Sequence, residues 1–112
     1  MVKQPDEEPL DPEARLGLRN RRRRVFHELL AALPAKVRDT CRIRFRQFVA
    51  NPRNVSLRLH RLKDHGRGRH IPGSYSVSVT ANYRAISFID DQTNVWYWIG
   101  THADYDDFTG VK

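Results

Sequence analysis

The chain has one cysteine and one methionine among 112 residues. The lone thiol, Cys41, cannot form an internal disulfide, which fits a reducing compartment. No stretch is apolar and long enough to span a bilayer. The first residues, MVKQPDEEPL, lack the basic and then apolar layout of a secretory signal. The expectation is a cytoplasmic protein with no membrane partner. Acids are scarce through the middle: residues 15–70 hold 17 Lys and Arg against only Glu28, Asp39 and Asp64. The glycines of residues 63–73 are irregular and have no strand-turn-helix around them, so no phosphate loop is expected. His60, His65 and His70 recur every five residues, on no shared helix or strand face. With the single cysteine elsewhere, this argues against a zinc site. We expect no metal and no small-molecule cofactor.

What is present is charge and aromatic surface. The net charge is +7 and the sequence pI about 10.2, which suits nucleic acid, an anionic surface or an acidic protein. Residues 1–13 carry a net −4, residues 15–70 a net +14 and residues 71–112 a net −3. Pro5, Pro9 and Pro12 and the lack of an apolar period make residues 1–19 read as a flexible acidic leader. Residues 20–112 read as one domain, with room for a single two-layer core.

Val25, Phe26, Leu29, Leu30 and Leu33 form one stripe, predicting a helix over 20–33 with Asn20 as its cap. Arg21 to Arg24 would then occupy its first turn, the unfavourable end for cations. Pro34 starts a second helix, over 35–50, with Val37, Cys41, Phe45, Phe48 and Val49 on one face. Arg38, Arg42 and Arg46 form a row on the other side, with Arg44 and Arg53 nearby. Cys41 reads as a small hydrophobe, and His27 as a helix-surface residue. Strands are expected at 56–62, 74–80, 83–89 and 95–99, joined by connections too short for parallel crossovers. Ala81-Asn82 is read as a hairpin turn using the left-handed tolerance of Asn. The fold class is therefore α+β, a helical hairpin on one face of a mainly antiparallel sheet of about four strands. The other face carries Ser76, Ser78 and Thr80, a candidate polar groove.

Residues 95–106, VWYWIGTHADYD, hold the most chemistry. An aromatic strand ends at Gly100 and passes into Thr101, His102, Asp104, Tyr105 and Asp106. A rigid strand thus presents an imidazole, two carboxylates and a phenol at its end. A histidine suits proton transfer near neutral pH. Asp104 or Asp106 could orient it. Arg84 on the preceding strand offers a planar fork for phosphate oxygens. Arg58, His60, Lys63, Arg67 and Arg69 could hold a strand's backbone, and Tyr105 could stack a base or share a proton. Trp96 and Trp98 read as sheet packing.

Three motifs resemble the RelE/ParE toxin superfamily of bacterial toxin–antitoxin pairs. They are SLRLHRLK at residues 56–63, YSVSVTANYRAI at 75–86 and WYWIGTHADYD at 96–106. Leu33-Pro34 before a helix and Asn51-Pro52 after it are similar too, and the resemblance covers about residues 20–108. It implies a RelE/HigB/YafQ-like toxin that enters the ribosomal decoding site, cuts mRNA without a metal, and is neutralised by an antitoxin. Gly100-Thr101-His102 is similar to the YafQ-like motif, which makes His102 the catalytic candidate. Arg84 matches the Tyr-Arg arginine that stabilises the transition state. Tyr105 and Asp106 fall where further active-site groups stand. Relatives often place an arginine on the first hairpin strand where this chain has Ser78. The Asp and His offered by that strand in the YafQ-like branch are absent from residues 75–80. The resemblance therefore leaves two alternatives: a ParE-like poison of gyrase without chemistry, and an RNA-binding or interaction module that does not cleave.

Overall fold

The computed structural model describes residues 19–111. The expected acidic leader lies outside the described residues, save Arg19, which opens the first strand. The order is β1 (Arg19–Arg22), α1 (Arg24–Ala31), α2 (Ala35–Ala50), a 3-10 turn at Val55–Leu57, β2 (His60–Arg61), β3 (Tyr75–Thr80), β4 (Tyr83–Asp90), β5 (Thr93–Thr101) and α3 (His102–Thr109). The sheet runs β1-β5-β4-β3-β2. Every neighbouring pair is antiparallel except β1, which lies parallel to β5. This is the expected α+β class, with five strands rather than four.

The helical hairpin covers one face. Phe26 and Phe48 are buried against Val77, Val79, Ala85, Trp96 and Ile99, with Leu29, Leu30, Leu33, Cys41 and Phe45 packed around them. Trp96 is the centre of this layer. Its ring lies 5.3 Å from Phe48, 6.4 Å from Phe26 and 6.5 Å from Phe45. Val25 and Val49, expected on the stripes, stay 44% and 49% exposed and outside it. Burial raises the Cys41 pKa, against the pull of Arg22 and Arg42, so the thiol stays protonated as a packing group.

Residues 20–22, expected to begin a helix, are strand instead. Asn20 does not cap; its Oδ1 accepts from Trp96 Nε1 at 3.1 Å and Asn94 Nδ2 at 3.2 Å. Arg23 N then donates to Trp96 O at 2.9 Å, extending the ladder up to the helix start. This removes Arg21 and Arg22 from the positive end of the helix dipole, where they would be unfavourable. The long strand expected at 56–62 is also revised. Asn54 caps the 3-10 turn, Arg58 turns left-handed at φ 48°, and only His60–Arg61 pair with β3. The two-residue turn of the β4–β5 hairpin places Asp91 and Gln92 at positive φ, as its mirror-image type requires. The β3–β4 connection needs no left-handed Asn82, because a register shift between Ser78 and Thr80 absorbs the geometry.

The second face is not an open polar groove. Ser76 and Ser78 are buried, and a second core of Leu62, Ile86, Tyr97 and Tyr105 covers it, with Ile71, Phe88, Trp98 and Phe108. A bulge makes this possible. Ile86 pairs with Trp98 and Ser87 with Trp96, so Tyr97 is skipped. Tyr97 and Trp98 then both face the second core, while Trp96 faces the hairpin.

Gly100 is buried beneath the Trp98 indole: a Cβ there would lie 2.7 Å from Trp98 Cη2 and 2.9 Å from Cζ2. A rigid ring cannot yield as a flexible chain end does. Gly100→Ala is expected to push the indole off its seat and cost about 1–3 kcal/mol, read as a lower urea midpoint with altered near-ultraviolet circular dichroism. An unchanged midpoint would show that the ring has room to move.

Candidate functional site

α3 is fixed at its first residue. Thr101 Oγ1 accepts from Asp104 N at 3.1 Å, capping the helix, and His102 N donates to Asn82 O at 2.7 Å, tying it to the β3–β4 turn. Gly110 ends the helix in the left-handed conformation at φ 72°. Tyr105 and Phe108, three residues apart, pack on the Trp98 indole at 6.3 Å and 5.1 Å. The helix therefore lies back over β4 and β5.

This folding-back brings four of the five expected catalytic residues together. His102 and Tyr105 rings are 6.1 Å apart. Arg84, opposite Gly100 in the ladder, holds its guanidinium 5.8 Å over the Tyr105 ring and donates to Ser78 Oγ. His102 Nδ1 lies 3.3 Å from Asp106 Oδ2, one helical turn on. The carboxylate thus stands beside Nδ1, where it can orient the ring. Asp104, the fifth, is exposed in the first turn; its carboxylate suits the helix dipole there, and Asp106 is the carboxylate that meets His102.

Tyr105 is buried among Trp98, His102 and Arg84, so the expected base-stacking role is set aside. Burial pushes its phenol pKa up, while Ser76, Arg84 and Asp106 have smaller effects, the first two opposing and the last adding. The Ser76 hydroxyl makes no hydrogen bond of standard geometry, so burial governs. The phenol is a neutral hydroxyl at neutral pH, able to donate rather than to act as a base.

The expected RNA-binding residues divide between two clefts that meet at Arg84 and Tyr105. Arg58 lines one of ≈290 Å³ with Arg44, Ser56, Ser78, Thr80 and Arg84. His60, Lys63 and Arg67 line another of ≈360 Å³ with His65, His70 and Tyr105. Arg69 lines neither: it pairs with Asp107 at 3.1 Å and lies over Phe108. The three histidines share no helix or strand face, but the irregular loop brings them to one cleft, with the His65 and His70 rings 5.9 Å apart. Among the described residues, no group of three or more His, Cys, Asp or Glu is placed to hold a metal. Arg44 was passed over as a surface cation. Its signal was its place three residues after Cys41 and four before Phe48, on the margin of the apolar stripe.

No family model matches the chain, and no curated protein does. Solved structures do match. A copper-bound mutant toxin from Helicobacter pylori is 14% identical, with a TM-score of 0.52 over 78% of this chain and 97% of that one. The RelBE2 toxin–antitoxin complex from Mycobacterium tuberculosis contains a chain 21% identical, with a TM-score of 0.51 over 78% and 93%. The RelB–RelE antitoxin–toxin complex from Methanococcus jannaschii contains one 18% identical, with a TM-score of 0.50 over 78% and 95%. The chain has the fold of the RelE-type toxins. Among the described residues, no helix is long and apolar enough to cross a membrane.

Burial also raises the Tyr97 pKa, against its bonds to Ser74 and Ile71. A phenol raised in the folded state stabilises fully below its unfolded pKa of about 10 and loses that contribution as pH rises through the folded value. Stability to urea should therefore fall above about pH 10. Tyr105→Phe should lessen the fall and remove one late-ionising phenol from the absorbance titration. A titration identical to the parent's would contradict the burial.

Proposed function

We propose that this chain is the toxin of a toxin–antitoxin pair and a metal-independent endoribonuclease that cuts mRNA at the ribosome. The observation that carries this reading is the gathering of His102, Asp106, Tyr105 and Arg84 at the mouth between two cationic clefts. The likeness of the fold to toxins, two of them in antitoxin complexes, supports the partner. The residues fit a reaction needing proton transfer and phosphate stabilisation without a Lewis acid.

In this reading Asp106 holds the His102 ring, and His102 Nε2 takes the proton of the ribose 2′-hydroxyl. The 2′-oxygen then attacks phosphorus. Arg84 donates to the non-bridging oxygens as charge builds there. The bond from phosphorus to the 5′-oxygen breaks, and the imidazolium returns the proton to that oxygen. The products are a 2′,3′-cyclic phosphate and a 5′-hydroxyl. Tyr105 packs beside both partners and positions them. An antitoxin segment carrying acidic side chains would match the cationic surface and block the clefts.

A second reading, a ParE-like poison of gyrase, draws on Ser78. That residue stands where a cation is expected and accepts from Arg84 rather than adding a charge. The two readings separate in one experiment: inducible expression in a bacterial host with transcript ends mapped. Growth arrest with cut transcripts is expected from the parent chain. His102→Ala should lose at least about 10²-fold in cutting, the scale of one proton-transfer group. Equal arrest by both chains, with DNA breaks and intact transcripts, would overturn the ribonuclease in favour of the gyrase poison.

A further inference from the structure

We propose that the cleft lined by Arg44, Arg58 and Arg84 is a second phosphate subsite, holding a backbone phosphate of a single-stranded RNA beside the one that is cut. This rests on the ribonuclease reading and adds a part of the molecule, the second helix, that it does not use.

The cleft exists because β2 is short. It pairs with β3 only at Tyr75 and Ser76, so β3 has an open edge from Val77 onward. Arg44 reaches that edge from α2. Its Nε donates to Val79 O at 3.0 Å, and its Nη1 donates to Gln47 Oε1 at 2.9 Å and Ser56 Oγ at 2.8 Å. All three acceptors are neutral. The guanidinium is therefore fixed in place with its charge uncompensated, and its two Nη2 donors meet no acceptor among the described residues.

The other walls agree. Arg58 is held at φ 48°, ψ 42°, a left-handed conformation unfavourable for a non-glycine residue and found most at functional sites. Its side chain makes no hydrogen bond or ion pair among the described residues. Arg84 closes the third side. Ser56, Ser78 and Thr80 add hydroxyls, and no carboxylate lines the cleft. Elsewhere the fold does supply acids to arginines: Arg42 meets Asp39 at 2.7 Å, Arg61 meets Asp64 at 2.9 Å and Arg69 meets Asp107 at 3.1 Å. Three arginines line ≈290 Å³ without an acid, and repulsion among their charges is relieved when an anion enters. A planar fork with two free donors suits phosphate oxygens. The cleft shares Arg84 with the catalytic cluster, so one strand can reach both.

The test is fluorescence anisotropy with a labelled ten-nucleotide 2′-O-methyl RNA, which lacks the attacking hydroxyl and cannot be cut by the proposed chemistry. Binding is measured for the folded full-length protein from 0.05 to 0.2 M salt. Arg44→Gln and Arg58→Asn should each reduce the salt slope by about 0.7 and the affinity about fivefold at 0.1 M, as one lost single-strand phosphate contact does. Arg42→Gln, on the same helix but paired with Asp39, should keep the parent slope. Should Arg44→Gln fail to fold, Arg58→Asn decides, because Asn tolerates the left-handed backbone. Parent slopes in every folded variant would overturn the subsite, even where His102→Ala has abolished cutting. Loss of poly-glutamate binding with RNA binding intact would overturn it as well, marking the cleft as a docking patch for acidic protein.

Discussion

The Trp98 indole fills the space a side chain at Gly100 would need and stacks on Phe108 at 5.1 Å with planes 15° apart. An aromatic pair of this kind adds about 0.5–1.5 kcal/mol beyond the area it buries. Its importance is positional. α3 is only eight residues long, too short to be stable alone, so its shape and place come from what it packs on. Trp98 and Tyr97 can both face α3 because of the bulge opposite Ile86 and Ser87. With α3 seated, His102, Tyr105 and Asp106 stand over Arg84. With it detached, Arg84 keeps only its Ser78 contact and loses the Tyr105 ring.

Charge is arranged around that seat. Two sets of arginines stand apart. One group is paired with acids on the surface, where such pairs contribute about 0–1 kcal/mol each and mainly spread the charge. The other, Arg44, Arg58 and Arg84, is held by neutral groups or by none. Leaving like charges together works against a small domain whose whole stability is about 5–15 kcal/mol. That cost is understandable where a polyanion binds, because association releases its counterions and steers its approach.

The sequence made the second helix legible to the residue, along with the two hairpins and the strand that ends at Gly100. In each, apolar residues at the element's own period mark the segment, although Val49 stays exposed and the bulge turns Tyr97 and Trp98 to one side. The first strand was not legible. RNRR has no alternation to read, since its pairing depends on Asn20 reaching Trp96 and Asn94, more than 70 positions away. The alternation of SLRLHRL suggested a longer strand than Arg58 permits once it turns left-handed. At the site, His102, Asp106 and Tyr105 were legible because they follow one another where an aromatic strand ends. Arg44 was not, since its role depends on an open strand edge that no local pattern announces. The three histidines share a cleft for the same reason: a loop has no period, and spacing says nothing about where it folds.

In the proposed reaction a ribose 2′-hydroxyl attacks its own phosphate, with His102 moving the proton and Arg84 receiving the charge. The most direct measurement presents programmed ribosomes with an mRNA carrying a single 2′-deoxy nucleotide at the cut position and identifies the product ends. The account predicts a 2′,3′-cyclic phosphate and a 5′-hydroxyl from the all-ribose message and no cut at the deoxy position. Cleavage that persists at the deoxy nucleotide, or a folded protein that leaves the ribose message whole, would contradict it.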